Sequence, residues 1–96
     1  MTEHRPTALE HLDTKLLYVE DDRDCRELLE GTFVDAGFDV TAVASAEHAL
    51  AVLGDSHYDI IVTDYNLTGE TGAWLLSQAS SRGYLDNTAA LAALCQ

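Results

Sequence analysis

Basic residues are scarce in this chain: five Lys and Arg stand against 17 Asp and Glu, a formal net charge of −12 over 96 residues. That balance excludes a surface built to hold nucleic-acid phosphates or an anionic bilayer, both of which it repels. It suits a basic partner, a bound cation, or a solvated acidic exterior. Cysteine is limited to Cys25 and Cys95, without a C-x-x-C pair. No zinc framework follows from that spacing, and a lone disulfide stays open without support, so a reducing cytoplasm is the expected compartment. His4, His11, His48 and His57 show no metal spacing either. Apolar runs are all short of transmembrane length, and the polar start lacks a signal-peptide core. With 47% apolar residues, the chain suits one small globular domain with little core to spare.

Residues 1–13 are polar, contain the only proline, Pro6, and carry no period, so they are expected as an N-terminal tail before a domain at 14–96. "KLLYV" (15–19) has strand length and ends in Glu20, Asp21 and Asp22. A helical period follows through Leu28, Leu29, Thr32, Phe33 and Ala36, with Asp22 as N-cap and Gly37 past its end. "FDVTAVA" (38–44) alternates as a strand. Ser45 caps a second helix, Ala46–Leu53, which Gly54 is expected to end. "YDIIVT" (58–63) is the second strongly apolar strand. "LTGETG" is turn chemistry, and Ala73–Ser81 is a third helix closed by Gly83. For "AALAAL" (89–94), composition favours a helix and chain order favours a fourth strand; the strand is the expectation.

The order β-α-β-α-β-α with short connections predicts an α/β fold, a doubly wound parallel sheet with helices on both faces. The strands at 15–19 and 58–63 should be central, with 38–44 nearer an edge. In such sheets the functional crevice lies beyond the carboxyl ends of the strands. Glu20 and Asp21 leave the first strand there, and Asp64 leaves the third. If those strands are neighbours, three carboxylates converge, and they repel unless a cation sits among them. Oxygen donors without a nearby thiolate or imidazole favour Mg²⁺. The Asn66 backbone carbonyl is placed to add a ligand, and Asp64 is placed as nucleophile or metal ligand.

These stretches, "LLYVEDDRDCRELL", "GFDVTAVASAEHAL" and "YDIIVTDYNLTGETG", resemble the receiver domain of two-component response regulators, the flavodoxin/CheY-like fold, over about residues 15–86. The resemblance implies that Glu20 and Asp21 are the acidic pair, with Asp21 the more direct metal ligand. It implies that Asp64 is the phospho-acceptor, that the Asn66 carbonyl ligates Mg²⁺, and that a histidine kinase or phosphotransfer protein supplies the phosphoryl group. Three departures qualify it. Thr68 and Thr71 replace the usual Pro and Asp of the loop after the acceptor, although Gly72 is kept. The usual Ser/Thr at the end of strand four falls at Leu94 or a neighbouring Ala. The chain stops at Gln96, after three to four β-α units, before the strand that carries the family's Lys.

The expectation is therefore a receiver truncated at the C-terminus that binds Mg²⁺ but takes phosphate poorly, since one lost electrostatic donor costs on the order of 10²–10³ in rate. An uncovered sheet edge predicts a homodimer or a partner protein through residues 84–96. Two rivals remain. A pseudo-receiver uses the same fold only for protein contacts. "DYNLT" (64–68) partly matches the D-x-D-x-T box of haloacid-dehalogenase-like phosphatases, but that box follows the first strand of its domain, and its second Asp is Asn66 here. Trp74 and Tyr65 are expected to pack or shape access rather than react.

Overall fold

The computed structural model describes residues 14–93. The expected tail at 1–13, and Leu94 and Cys95, lie outside that range. Seven elements alternate: β1 (Lys15–Val19), α1 (Arg23–Asp35), β2 (Asp39–Val43), α2 (Ala46–Asp55), β3 (Ile60–Asp64), α3 (Gly72–Ser81) and β4 (Ala89–Ala93). All strand pairs are parallel, in the order β2-β1-β3-β4. The apolar β1 and β3 are central and the alternating β2 is an edge, because only a strand covered on both faces can be apolar throughout. Residues 89–93 form a strand despite their Ala/Leu composition, pairing Asp64 with Ala93. Open hydrogen-bonding groups along β3 decide this, where helix propensity alone does not.

Alternation along the strands sorts side chains into two layers. Leu17, Val19, Val43 and Ile61 pack with Ala46, Ala49 and Leu53 of α2 and Leu75 and Ala79 of α3. The opposite face carries α1. There Tyr18 meets Phe33 edge-on, with ring centroids 5.4 Å apart. On that same side Ile60 and Val62 are half-buried, and Leu91 of the edge strand is 59% exposed.

Each helix starts on the cap its sequence offers. Asp22 accepts from the Cys25 amide, Ser45 from His48, and Thr71 from Trp74. Helix α2 and strand β3 differ most from expectation. Helix α2 runs through Gly54 to Asp55 and closes with Ser56 N–H on the Val52 carbonyl. Gly54 is a contact rather than a stop, since a Cβ there would press on the Tyr84 hydroxyl at 3.2 Å. Strand β3 starts at Ile60 rather than at Tyr58, whose ring turns into the core. It includes Asp64 as its last residue.

Candidate functional site

β1 and β3 are hydrogen-bonded neighbours, with Val19 opposite Thr63. The residues that leave their carboxyl ends therefore meet. Glu20, Asp21 and Asp64 each offer a carboxylate oxygen, all within 4.8 Å of one another. Glu20 is 2% exposed, and Asp21 and Asp64 are half-buried. An open pocket beside them is lined by Glu20, Asp21, Asp22, Asp24, Cys25, Leu28 and Asp64.

The electrostatics of this end are strained toward neutrality. Burial pushes the Glu20 carboxyl up to about 7, and the Asp64 charge and hydrogen bonds with Asp21 and Asp64 push it in the same direction, against the Asp22 amide that stabilises its anion. Asp21 moves the other way. The Thr68 hydroxyl is the largest cause of its lowered pKa, and the Thr68 amide adds to it. Tyr18, on the strand just before the pair, has its hydroxyl pushed up to about 12 by burial and by the charges of Glu20 and Asp64. That hydroxyl is buried without a hydrogen-bond partner.

The loop from β3 to α3 is pinned at several points. The Asn66 amide donates to Asp64 Oδ1 at 3.4 Å, and Gly72 N–H donates to the Tyr65 carbonyl at 3.2 Å. Leu67 is buried in the core cluster. Gly69 has φ +85°, and a Cβ on Gly72 would collide with the Asp64 carbonyl oxygen, so both turns require glycine. Tyr65 is half-exposed beside the end of β3, and Trp74 packs against the core, as expected of Trp74.

The structure brings together Glu20, Asp21 and Asp64 and places Asn66 in the adjoining loop. Two further residues escaped the sequence reading. Arg26, one turn into α1, donates to the Glu20 carbonyl at 2.9 Å and to the Asp21 carbonyl at 3.4 Å. Its signal was a cation six residues past the first acid on a helix starting at the same loop. Thr68 was read only as a missing proline. Cys25 is buried and disulfide-bonded, a bond that the sequence left open.

All donors in the cluster are carboxylate oxygens, and burial, with the Asp64 charge beside it, holds the Glu20 proton to an unusually high pH. That donor chemistry fits a hard divalent ion such as Mg²⁺.

Comparison with known proteins points to one family. The family model described as "Response regulator receiver domain" matches residues 16–91. The chain is 41% identical over 68 residues to the response regulator protein FleR of Pseudomonas aeruginosa, covering 71% of this chain and 14% of that protein. It is 38% identical over 69 residues to the two-component response regulator PhoP of the same organism, covering 72% and 31%. Among solved structures, the chemotaxis response regulator CheY4 of Vibrio cholerae superposes with a TM-score of 0.78 at 28% identity, over 82% of this chain and 66% of that one. The chain thus spans less than a third of the length of these curated relatives.

Proposed function

The chain belongs to the response regulator receiver domain family, and from that premise we propose that it accepts a phosphoryl group on Asp64 from the phospho-His of a histidine kinase or phosphotransfer protein, in a Mg²⁺-dependent manner. The convergence of Glu20, Asp21 and Asp64 within 4.8 Å carries this reading. Asp21, Asp64 and the Asn66 carbonyl would hold the ion, with Glu20 behind them. When bound, the ion offsets the charge on the transferring phosphoryl oxygens.

The chain's own residues supply the rest. An Asp64 carboxylate oxygen attacks phosphorus; the new O–P bond forms as the N–P bond to the donor imidazole breaks, and the imidazole leaves with the bonding pair and takes a proton. The Asn66 amide on Asp64 Oδ1, at 3.4 Å, restrains the rotation of the carboxylate. Arg26 holds the carbonyls of Glu20 and Asp21, so the acidic loop keeps its shape under repulsion. The protein's part is that of an acceptor and not of an enzyme with turnover.

Acceptance should be slow. The residue registered beside Asp64 is Ala93, which has no hydroxyl for the phosphoryl oxygens. Lys15 lies at the other end of β1, with its ammonium over the Tyr58 ring, and does not reach Asp64. Exposed Leu91 supports a protein contact through residues 84–96, as a homodimer or with a partner protein. It also favours the second reading, a pseudo-receiver that only binds proteins. No described helix is long and apolar enough to cross a membrane; a cytoplasmic location follows from the kinase partner.

The test is incubation with a small phosphodonor, read by intact mass with and without Mg²⁺. One added phosphoryl group, dependent on Mg²⁺ and absent in Asp64→Asn, supports the acceptor. No adduct over hours under saturating donor assigns the chain to the pseudo-receiver.

A further inference from the structure

Thr68 is the residue that crosses from one acid-bearing loop to the other. It lies four residues past Asp64 and 47 residues from Asp21 in sequence. Its amide N–H donates to Asp21 Oδ2 at 2.8 Å, and its hydroxyl donates to the same oxygen at 2.5 Å. The neighbours on both sides explain the aim. Leu67 is buried in the core, which fixes the chain direction, and Gly69 at φ +85° turns the backbone away immediately afterwards. Thr68 is therefore presented to Asp21 by a loop that has little freedom to withdraw it.

Two donors on one carboxylate oxygen fix both side-chain torsions of Asp21. They also occupy Oδ2 as an acceptor, so that Oδ1 is the oxygen outside the Thr68 contact. Among the described residues no lysine or arginine side chain makes an ion pair with Asp21. The hydroxyl and amide of Thr68 do the orienting that a cation would otherwise do. Groups that hydrogen-bond the far side of a metal-ligating carboxylate set its orientation, and their loss costs about 10–100-fold in metal affinity.

We propose that Thr68 is a positioning residue for divalent-cation binding, clamping Asp21 through Oδ2 so that Oδ1 is held toward the ion, and coupling the β3–α3 loop to the site. This rests on the reading of the acidic cluster as a Mg²⁺ site. It assigns to Thr68 a task beyond filling a loop position. The coupling runs on to α3, since Thr71 caps that helix and Trp74 follows in its first turn.

The experiment is a Mg²⁺ titration of the full chain, followed by calorimetry and by Trp74 fluorescence, in the unsubstituted protein, Thr68→Val, Thr68→Ala and Thr68→Ser. Thermal melts without metal establish that each variant is folded. Thr68→Val keeps the shape and the amide but removes the hydroxyl; Thr68→Ala repeats the removal should valine fold badly. Weakening of Mg²⁺ by about 10-fold in both, with near-native affinity in Thr68→Ser, is the expected result. Unchanged or tighter binding in Val and Ala overturns the clamp and leaves the Mg²⁺ reading standing. Equal weakening in all three variants also overturns it, because the hydroxyl is then not the actor. A titration without response in the unsubstituted protein overturns the Mg²⁺ reading, and the clamp falls with it.

Discussion

The two ends of the central strands carry similar residue types and treat them in opposite ways. At the amino end, Asp59 accepts from the Lys15 amide at 2.9 Å and pairs with His57 at 3.4 Å, while the Lys15 ammonium lies 5.2 Å from the Tyr58 ring centroid. Thr88 donates to the Tyr58 carbonyl at 2.7 Å and ties β4 to the same corner. The charge there has partners and staples the sheet. At the carboxyl end three carboxylates crowd together and Glu20 retains its proton up to about pH 7. Arg26 reaches only backbone carbonyls there. Acids that serve structure are satisfied by the fold; acids left in mutual repulsion indicate a ligand that the fold does not itself supply.

The largest effect separates core from site. Ile61, fully buried between the two ends, should lose about 2–5 kcal/mol of stability as Ile61→Ala in urea unfolding, with Mg²⁺ affinity changed little while the protein stays folded. Equal losses of stability and affinity would dissolve the distinction between scaffold and site.

Next comes pH. Glu20 has a folded pKa of about 7 against an ordinary value of 4.5. Between those values the folded state binds more protons than the unfolded one, so the contribution is fully present below about pH 4.5 and is lost as pH rises through about 7. The metal-free protein should lose up to about 3 kcal/mol across that window from this group. Asp21, with its pKa lowered, contributes the opposite slope at lower pH. Urea midpoints measured at several pH values check the sign, and Glu20→Gln should flatten the slope. A stability that rises steadily from pH 5 to 7 in the native chain contradicts the account of this end.

A smaller, sharper contrast comes from matched substitutions. Without metal, Asp64→Asn relieves repulsion and should raise stability by about 1 kcal/mol. Asp59→Ala removes a satisfied acceptor at the other end and should lower it by about 1 kcal/mol. Thermal melts of the two variants should shift in opposite directions. Shifts of the same sign remove the difference between the ends.

Much of this was legible in the residues. Apolar β1 and β3, alternating β2, and caps at Asp22 and Ser45 specify the order of elements and the central pair, because strand burial and capping are local chemistry. Once β1 and β3 are neighbours, the meeting of Glu20, Asp21 and Asp64 follows from chain geometry. Residues 89–93 were less legible: Ala and Leu suit a helix, and the open edge of β3 outweighs them. Thr68 and the disulfide-bonded state of Cys25 were not legible at all. Both depend on which loops come into contact across the fold, and a pairing 47 residues apart has no local signature.

The most direct test is the melting temperature at pH 7.5 with and without about 10 mM Mg²⁺. An ion bound with a millimolar dissociation constant adds about 1.4 kcal/mol at tenfold excess, or about 4–8 °C per kcal/mol in a domain this small. The account predicts a rise of several degrees in the native chain and little or none in Asp64→Asn. No rise in the native chain, or the same rise in both, would contradict it.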